Sequence, residues 1–316
     1  GHTITGLRVS DTDASAALIL QNNGTIRQLG LTDVLIDGPY TADKSWRASL
    51  CVKNYGTIEE CYALGSVSGG HRNGGLVSEN YNTIQNCYFI GTLESNYETG
   101  GITSWNQNGT AQVVNCYAAG DYTSRNNNIG FISGYAYGGT RMTGNVALYG
   151  SLNASQNLAR ICGRNNGVDE AVTYQKNLAC ADILVNGSVV TGGTADSKNG
   201  QDKTAEELTQ QTTYTDIGWD FEGVWAMDAV LGRPVLKNVA EKTVQREITT
   251  ADTIWRYLDD GTDPAAGKDS RTAWTLPSFD DSSWSVGKGS FGAKQGAVSD
   301  LGGGCVPNTL LRQYKA

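Results

Sequence analysis

The sequence predicts an all-β chain that folds as a parallel β-helix, and two recurring phrases carry that prediction. The first approximates Gly-x-Ile-x-Asn-Cys-Tyr and occurs as Gly-Thr-Ile-Glu-Glu-Cys-Tyr at residues 56–62, as Asn-Thr-Ile-Gln-Asn-Cys-Tyr at residues 82–88 and, in a degenerate copy, at residues 111–117. The second is a glycine followed by an apolar residue, at residues 75–77, 101–103 and 130–132. Because a sequence that resembles itself at a regular interval indicates stacked structural units, these phrases define the architecture before any single residue is considered.

The apolar residue of the second phrase marks each unit, and its positions are Leu18, Leu50, Leu76, Ile102, Phe131 and Ile161. The intervals of 26 to 32 residues match no helical repeat, and each unit contains short β-branched runs between Gly and Asn, which are strand signals. A unit this short has no core of its own, so stacked units must share one. We therefore predict about six coils with about three short strands each, stacked roughly 4.8 Å apart.

Two columns of residues follow from this spacing. Four residues after the marker lie Asn22, Asn54, Asn80, Asn106 and Asn165, with Tyr135 as the exception. Asn tolerates the left-handed conformation at a corner, and its amide can hydrogen-bond to the coils above and below. This column predicts a structural ladder, with a metal or sugar site as the alternative.

The second column contains three of the cysteines and consists of Leu29, Cys61, Cys87, Cys116, Val146 and Leu178. Apolar residues at both ends of the column indicate that Cys serves here as a small inward-facing apolar side chain. Seven dispersed cysteines do not form a disulfide framework. The sequence also contains no Cys-x-x-Cys pair for zinc.

Aromatic residues give the candidate ligand-binding positions. Tyr62, Tyr88 and Tyr117 directly follow the cysteines, so they should point outward. Stacked there, they form either a platform for a glycan or a partner protein, or an aromatic ladder that only stabilises the sheet. Trp105 belongs to a mixed row three residues after the marker, which is either a sugar-binding groove or an ordinary polar exterior; the row is Lys53, Glu79, Trp105, Gly134 and Arg164.

A β-helix enzyme that acts on polysaccharides would need acids in one groove. Hydrolysis of a glycosidic bond requires two carboxylates roughly 5 to 10 Å apart. Glu79, Glu94 and Asp121 are the candidates for such a lyase or glycosidase, but acids do not recur at one register of the repeat. The sequence therefore favours a chain that is not itself an enzyme and predicts no catalytic residue.

The repeat phrases, over roughly residues 15 to 180, resemble the GLUG-type repeats of bacterial surface and secreted proteins, some attached to immunoglobulin-cleaving peptidases. The resemblance implies a right-handed β-helix over residues 1–190 and an extracellular or cell-wall-attached location. Residues 191–240 resemble the segment that ends such solenoids. This segment has a capping box of Thr204 and Glu207 that predicts a short helix, and its aromatic residues can cover the last coil.

The tail, residues 241–316, resembles the first part of a galactose-binding-like jelly roll, chiefly through the Phe-Asp-Asp-Ser-Ser-Trp sequence at residues 279–284. This resemblance implies a partial β-sandwich in a piece of a larger protein. An open sandwich edge could pair with another chain, so self-association is a further expectation. Asp259, Asp260 and Asp263 are candidate calcium ligands, although Asp260 followed by Gly261 is also a plain turn signal.

The amino-acid composition limits the classes of partner that the chain is expected to bind. The net charge is −8 with 18% charged residues and no cluster of Lys or Arg, which argues against nucleic acid. No apolar run approaches the roughly 18 residues of a membrane span. The sequence predicts no cofactor, with calcium as the alternative. The leading hypothesis is a non-catalytic extracellular module of a bacterial surface or secreted protein, for adhesion or for glycan recognition or display. Its partner would be a glycan or a cell-surface protein. The alternatives are the carbohydrate-active enzyme and a purely structural stalk.

Overall fold

The structure is a computed structural model. It describes residues 1–10, 14–40, 45–166, 171–241, 254–258, 280–288 and 313–315. The chain forms two compact units, Gly1–Val244 and Gln245–Ala316.

The first unit is a parallel β-solenoid with four stacked sheets, which we call sheets A to D. The main strands of sheet A are His2–Thr5, Leu29–Ile36, Tyr62–Ser68, Tyr88–Ser95, Tyr117–Ser124, Val146–Asn153, Leu178–Cys180 and Gln201–Lys203. Shorter strands at its margin are Arg8–Val9, Leu184–Val185 and Ser188–Val189. Sheet B consists of Trp46–Ala48, Arg72–Gly74, Thr99–Gly100, Asn127–Gly130 and Gln156–Leu158.

The other two sheets contain six strands each. Sheet C consists of Ile19–Asn22, Cys51–Asn54, Val77–Asn80, Thr103–Asn106, Ser133–Tyr137 and Cys162–Asn166. Sheet D consists of Thr25–Arg27, Thr57–Glu59, Thr83–Gln85, Gln112–Val114, Arg141–Thr143 and Thr173–Gln175. Each coil passes through sheets C, D, A and B in that order.

The prediction of an all-β parallel solenoid with about six coils is confirmed. The coil has four strands where the sequence predicted three, because the sheet B strands carry no strand signal. Thr99–Gly100 and Arg72–Gly74 are two and three residues long and rich in Gly and Asn, which are residues with poor strand propensity. They are held in register by the longer strands on either side of them in each coil.

The predicted Asn ladder is present and buried at Asn22, Asn54, Asn80 and Asn106, whereas Asn165, which was also predicted to belong to it, is exposed and pairs with Ala136. The Nδ2 of Asn22 donates to Asn54 Oδ1 at 2.7 Å, and the same bond joins Asn54 to Asn80 and Asn80 to Asn106 at 2.9 Å. Each of the first three amides also hydrogen-bonds to the backbone two residues on in its own coil. The ladder is interrupted at Ala136, which pairs with Asn106 and offers no acceptor, so Asn106 Nδ2 has no partner among the described residues.

That interruption corrects the fifth marker. Because Thr103 pairs with Ser133, the residue equivalent to Ile102 is Ile132, not Phe131. Consequently Ala136, not Tyr135, occupies the ladder position. Tyr135 instead continues the row that contains Trp105.

The left-handed corner is not at the Asn ladder. Positive φ values occur where sheet D turns into sheet A: Gln28 (φ 53°), Glu60 (φ 50°), Asn86 (φ 51°), Asn115 (φ 51°), Gly144 (φ 66°) and Lys176 (φ 54°). The ladder asparagines are absent from the positive-φ residues. Hydrogen bonding, and not backbone conformation, is therefore the physical reason for their recurrence.

The cysteine column differs from the prediction at one end. Tyr117 pairs with Val146, and Val146 with Leu178, so Asn145 and Asn177 follow Cys116 in the column. Asn145 Nδ2 donates to Asn177 Oδ1 at 3.1 Å and to Val113 O at 2.9 Å. The position therefore selects a small hydrogen-bond donor. The thiols donate in the same way, as Cys87 does to Gln85 O at 3.0 Å.

The six cysteines of the described region are all free and buried. Burial raises the pKa of Cys51 to about 11 and that of Cys162 to about 12. The pKa of Cys61 is also raised, by its hydrogen bond with Cys87 and by burial. All three are therefore neutral thiols at physiological pH.

After the last coil, the chain forms the predicted short helix. Thr204 and Glu207 make the two reciprocal bonds of a capping box, Glu207 N to Thr204 Oγ1 at 3.1 Å and Thr204 N to Glu207 Oε2 at 2.8 Å. A 3-10 turn, Glu207–Thr209, and an α-helix, Gln211–Thr215, follow. A hairpin of Trp225–Asp228 and Arg233–Leu236 completes the segment. None of the described helices has the length and apolar character of a membrane span.

In the second unit, the described residues form a three-stranded antiparallel sheet in the order Ser285–Lys288, Ile254–Leu258, Gln313–Lys315. Trp284 is buried, at 6% exposure. The jelly-roll resemblance and the domain boundaries at residues 190 and 240 stay predictions.

The Asn ladder should contribute strongly to stability. We expect Asn80→Ala to lower the free energy of unfolding by about 3 kcal/mol, because it removes bonds to two coils and leaves buried partners unpaired. Denaturant titration of the chain measures this loss. Asn153→Ala, at an exposed position on sheet A, is the matched control and should change stability by less than about 0.5 kcal/mol. Equal effects of the two substitutions would contradict the ladder's role.

Stability should fall at alkaline pH. The thiols ionise near pH 8.5 in the unfolded chain, but their pKa values are raised in the folded chain, to about 11 at Cys51. The folded state therefore binds more protons in this range, so the free energy of unfolding is greatest below about pH 8.5 and decreases as pH rises toward 11. Denaturant titrations from pH 7 to 10.5 measure the slope, and Cys51→Ala should reduce it. A flat profile would contradict the buried thiols.

Candidate functional site

The tyrosine row on sheet A is covered by another part of the chain and is not accessible to a ligand. Tyr62, Tyr88 and Tyr117 stack at centroid distances of 4.9 and 4.7 Å with nearly parallel rings. They point out of the solenoid, but each is fully buried because the C-terminal hairpin lies over them. Trp225 packs against the rings of Tyr88 and Tyr117 at 6.2 and 6.0 Å. The prediction of an open ligand platform at these three tyrosines is therefore wrong.

Polar contacts hold the hairpin on this row. Arg233 Nη1 donates to Tyr117 Oη at 2.8 Å, and Arg233 Nη2 forms a 2.6 Å ion pair with Glu241 Oε1. Tyr88 Oη donates to Glu241 Oε2 at 2.6 Å, and Tyr62 Oη donates to Ala240 O at 2.9 Å. Burial raises the pKa of Tyr88 and Tyr117, so both hydroxyls remain hydrogen-bond donors.

The three candidate catalytic acids lie on two different sheets. Glu79 is on sheet C, whereas Glu94 and Asp121 are on sheet A. Glu94 forms an exposed ion pair with Arg125 at 3.1 Å, and Asp121 accepts a hydrogen bond from Ser151 at 2.7 Å. Glu79 therefore lies apart from the other two acids, which are in adjacent coils of sheet A.

The mixed row on sheet C is continuous. The strand register places Lys53, Glu79, Trp105, Tyr135 and Arg164 side by side in successive coils. Tyr135 replaces Gly134 of the sequence prediction, for the register reason given above. The row therefore has a cation at each end and aromatic rings in the middle.

Arg72, on the neighbouring sheet B, organises the lower half of this row. Its Nη1 donates to Glu79 Oε1 at 2.9 Å, its Nε donates to Glu98 Oε2 at 3.0 Å, and its guanidinium lies 3.5 Å from the Trp105 ring centroid. Lys53 Nζ lies 3.8 Å from Glu79 Oε2. Both carboxylates are thus neutralised by cations, and Glu79 is only 3% exposed.

Tyr81 also binds Glu79. Its hydroxyl donates to Glu79 Oε2 at 3.1 Å. Burial, followed by the charge of Glu79, raises the pKa of Tyr81. The neighbouring Tyr55 stacks on Tyr81 at 4.4 Å and is 42% exposed.

The upper half of the row is a cluster of three rings, Trp105, Tyr135 and Tyr137, which we call the sheet C aromatic cluster. Trp105 and Tyr137 stack at 5.6 Å with 7° between their planes, and Tyr135 meets both edge-on at 5.1 and 5.4 Å. Tyr137 is 36% exposed, and Trp105 is partly exposed. The guanidinium of Arg164 lies 5.5 Å from the Tyr135 ring centroid. Of the residues predicted as ligand-binding, Trp105 therefore keeps an accessible position.

Sequence reasoning missed Arg72, Glu98 and Tyr137. The repeat contained a signal for the first two, since residues 72 and 98 are separated by 26 residues, which is one coil. The salt bridge between them crosses that coil boundary. Tyr137 also had a signal, since Tyr55 and Tyr81 likewise follow ladder positions directly, but the misplaced fifth marker hid it.

A cavity of about 530 Å³ lies beside the last coil. It is lined by Lys176, Leu178, Ala195, Gln201, Lys203, Glu207, Gln210, Thr212, Thr213, Asp216 and Ile217. Lys203 and Glu207 pair with each other across 2.9 Å. Within the described part of the chain, no group of three or more His, Cys, Asp or Glu could hold a metal ion. Asp259, Asp260 and Asp263 lie outside the described residues, so the calcium site stays a prediction.

Comparison with known proteins supports the fold. No family model matches the chain, and no curated protein is significantly similar to it. Among solved structures, the crystal structure of a putative immunoglobulin A1 protease from Bacteroides ovatus superposes with a TM-score of 0.59 at 20% sequence identity, over 76% of this chain and 76% of that one. At that identity, the likeness establishes a shared β-solenoid fold.

Removal of the buried cation should release the hairpin from the tyrosine row. Arg233→Ala leaves Glu241 without its ion-pair partner, and breaking a buried pair in this way costs about 3–5 kcal/mol. Hydrogen exchange should then accelerate in residues 225–236 while sheet C stays protected. Arg125→Ala removes the equivalent partner of the exposed Glu94 and is the control, with an expected cost under about 1 kcal/mol. Unchanged exchange in the Arg233 variant would contradict the closed row.

Proposed function

We propose that the chain is a non-catalytic recognition module of a larger bacterial surface or secreted protein, and that it binds a glycan on sheet C. The sheet C aromatic cluster is the observation that carries this proposal. Tyr137, which is 36% exposed, presents its ring at the surface and stacks on the partly exposed Trp105 with nearly parallel planes. Aromatic rings offer a rigid apolar face at low entropic cost, and the CH face of a pyranose ring is the part of a sugar that such a surface fits.

The polar groups around the cluster support the same ligand. Glycans need hydrogen-bond donors and acceptors beside the apolar contact, and small ligands are generally oriented by a few such groups. Asn165 and Arg164 are exposed next to the rings. Tyr55, which is 42% exposed, supplies a further ring on the same side of the coil as Tyr81.

The ion pairs of Glu79 and Glu98 argue against hydrolysis at this surface. A glycosidase needs one carboxylic acid free to donate a proton and a second carboxylate free to act as base or nucleophile. Both Glu79 and Glu98 are instead bound to Arg72. A carboxylate whose oxygens are engaged by a guanidinium is not free for either role.

The wider context of the proposal rests on resemblance. The repeat phrases resemble the GLUG type, and the tail resembles a galactose-binding-like module, both of which are typical of extracellular proteins. The solved structure that shares this fold is named for a protease directed at immunoglobulin A1. Together they support a module that is exported and that contacts glycans or glycoproteins, with any catalytic domain of the parent protein elsewhere.

A glycan-array screen of the purified chain, with calcium and with a chelator, tests the proposal. We expect binding of at least one glycan and, by mass spectrometry of the bound glycans, no cleavage. Tyr137→Ala should weaken that binding about tenfold, since losing one stacking face costs on the order of 1.4 kcal/mol.

Tyr149→Ala is the matched control, because Tyr149 is an exposed tyrosine on sheet A at 47% exposure. The Tyr149→Ala variant should bind the glycan with the same affinity as the unmodified chain. Cleavage of a bound glycan would establish the enzyme alternative instead. Absence of binding to the whole array would overturn the proposal.

A further inference from the structure

We propose that the sheet C site is selective for acidic glycans, whose carboxylate binds to Arg164. This inference rests on the proposed function and specifies its ligand class. It follows from an asymmetry between the two arginines that flank the sheet C aromatic cluster.

Arg72 is fully engaged. It binds two carboxylates, packs on the Trp105 ring, and its side chain is 15% exposed. Its charge is therefore neutralised before any ligand arrives. Its role is to position Trp105 by a cation–π contact.

Arg164 differs in both respects. It is exposed, and it has no ion pair with any carboxylate in the described residues. Its nearest aromatic contact is the Tyr135 ring at 5.5 Å. The row and Arg72 together contain three cations, Lys53, Arg72 and Arg164, but with Glu98 just two carboxylates. Among the described residues around the row, the surplus positive charge is thus at the Arg164 end.

The geometry of the row places that charge within reach of a stacked sugar. Arg164 follows Tyr135 by one coil and Trp105 by two, and coils are roughly 4.8 Å apart. A sugar ring resting on the exposed Tyr137, whose coil is next to that of Arg164, would therefore have a substituent within roughly 5 Å of the Arg164 coil. A guanidinium binds a carboxylate through two parallel N–H donors, which gives geometric selectivity as well as energy.

The net charge of −8 does not oppose this selectivity. Charges separated by more than about 8 Å are largely screened at physiological ionic strength. The local surplus at Arg164 therefore dominates for a sugar bound on the cluster. The same screening predicts that the preference for an acidic ligand weakens as salt is added.

Two matched ligand pairs test the inference by isothermal titration calorimetry: an oligogalacturonate with its carboxyl-reduced counterpart, and sialyllactose with lactose. We expect the unmodified chain to bind the acidic member of at least one pair about tenfold or more tightly than its neutral partner. Arg164→Gln should abolish this preference while keeping the weaker, neutral-type binding. Arg164→Lys should retain part of it, because the charge remains without the paired donors.

Arg141→Gln is the control, since Arg141 is exposed on sheet D and the substitution makes the same change in net charge. It should leave the preference intact. Equal affinity for both members of each pair, or an equal loss in the Arg164 and Arg141 variants, would overturn the acidic-ligand inference while leaving glycan recognition in place. No binding of any array glycan or of either pair would overturn the proposed function, and the inference with it.

Discussion

In-register pairing between parallel strands of successive coils is the constraint on which every other feature of this molecule depends. Once Glu79 is paired with Lys53 and Trp105, every neighbouring position in those coils is also paired with its equivalent. Identical or related residues then form columns. The buried Asn ladder holds this register, because the amides of Asn22, Asn54 and Asn80 each bond both to the next coil and to their own turn. A one-residue slip would break both sets of bonds at once.

The same constraint creates two aromatic surfaces, of which one is buried by the chain itself and the other stays exposed. On sheet A, three tyrosines lie one above another and present a large apolar face, which the chain covers with its own hairpin and with the Arg233–Glu241 ion pair. On sheet C, charged residues flank the two rings of the column on both sides, so no equally apolar face forms there. The cluster of Trp105 and Tyr137 remains at the surface. The accessible surface for a partner is consequently the mixed row and not the more regular tyrosine row.

The sequence predicted the solenoid, its coil number and the Asn ladder because those features repeat. It failed where the repeat has insertions or where the chain contacts itself non-locally. In the fifth coil Gly130 pairs with Gly100 and not with Gly101, so the glycine phrase placed the marker one residue early and Tyr135 was assigned to the wrong column. The burial of Tyr88 depends on Glu241, which is 153 residues away, and no local pattern encodes such a contact. Arg72 was missed because sheet B gave no strand signal and its register could not be assigned.

The most direct test of this account is hydroxyl-radical footprinting of the native chain with residue-level mass spectrometry. The account places Tyr137 and Trp105 on an accessible surface and Tyr88, Tyr117 and Trp225 beneath the hairpin. It therefore predicts modification of Tyr137 and Trp105 at rates well above those of the other three. Rapid modification of Tyr88 and Tyr117, with Tyr137 protected, would show that sheet A is the open face and would contradict the assignment of the recognition surface.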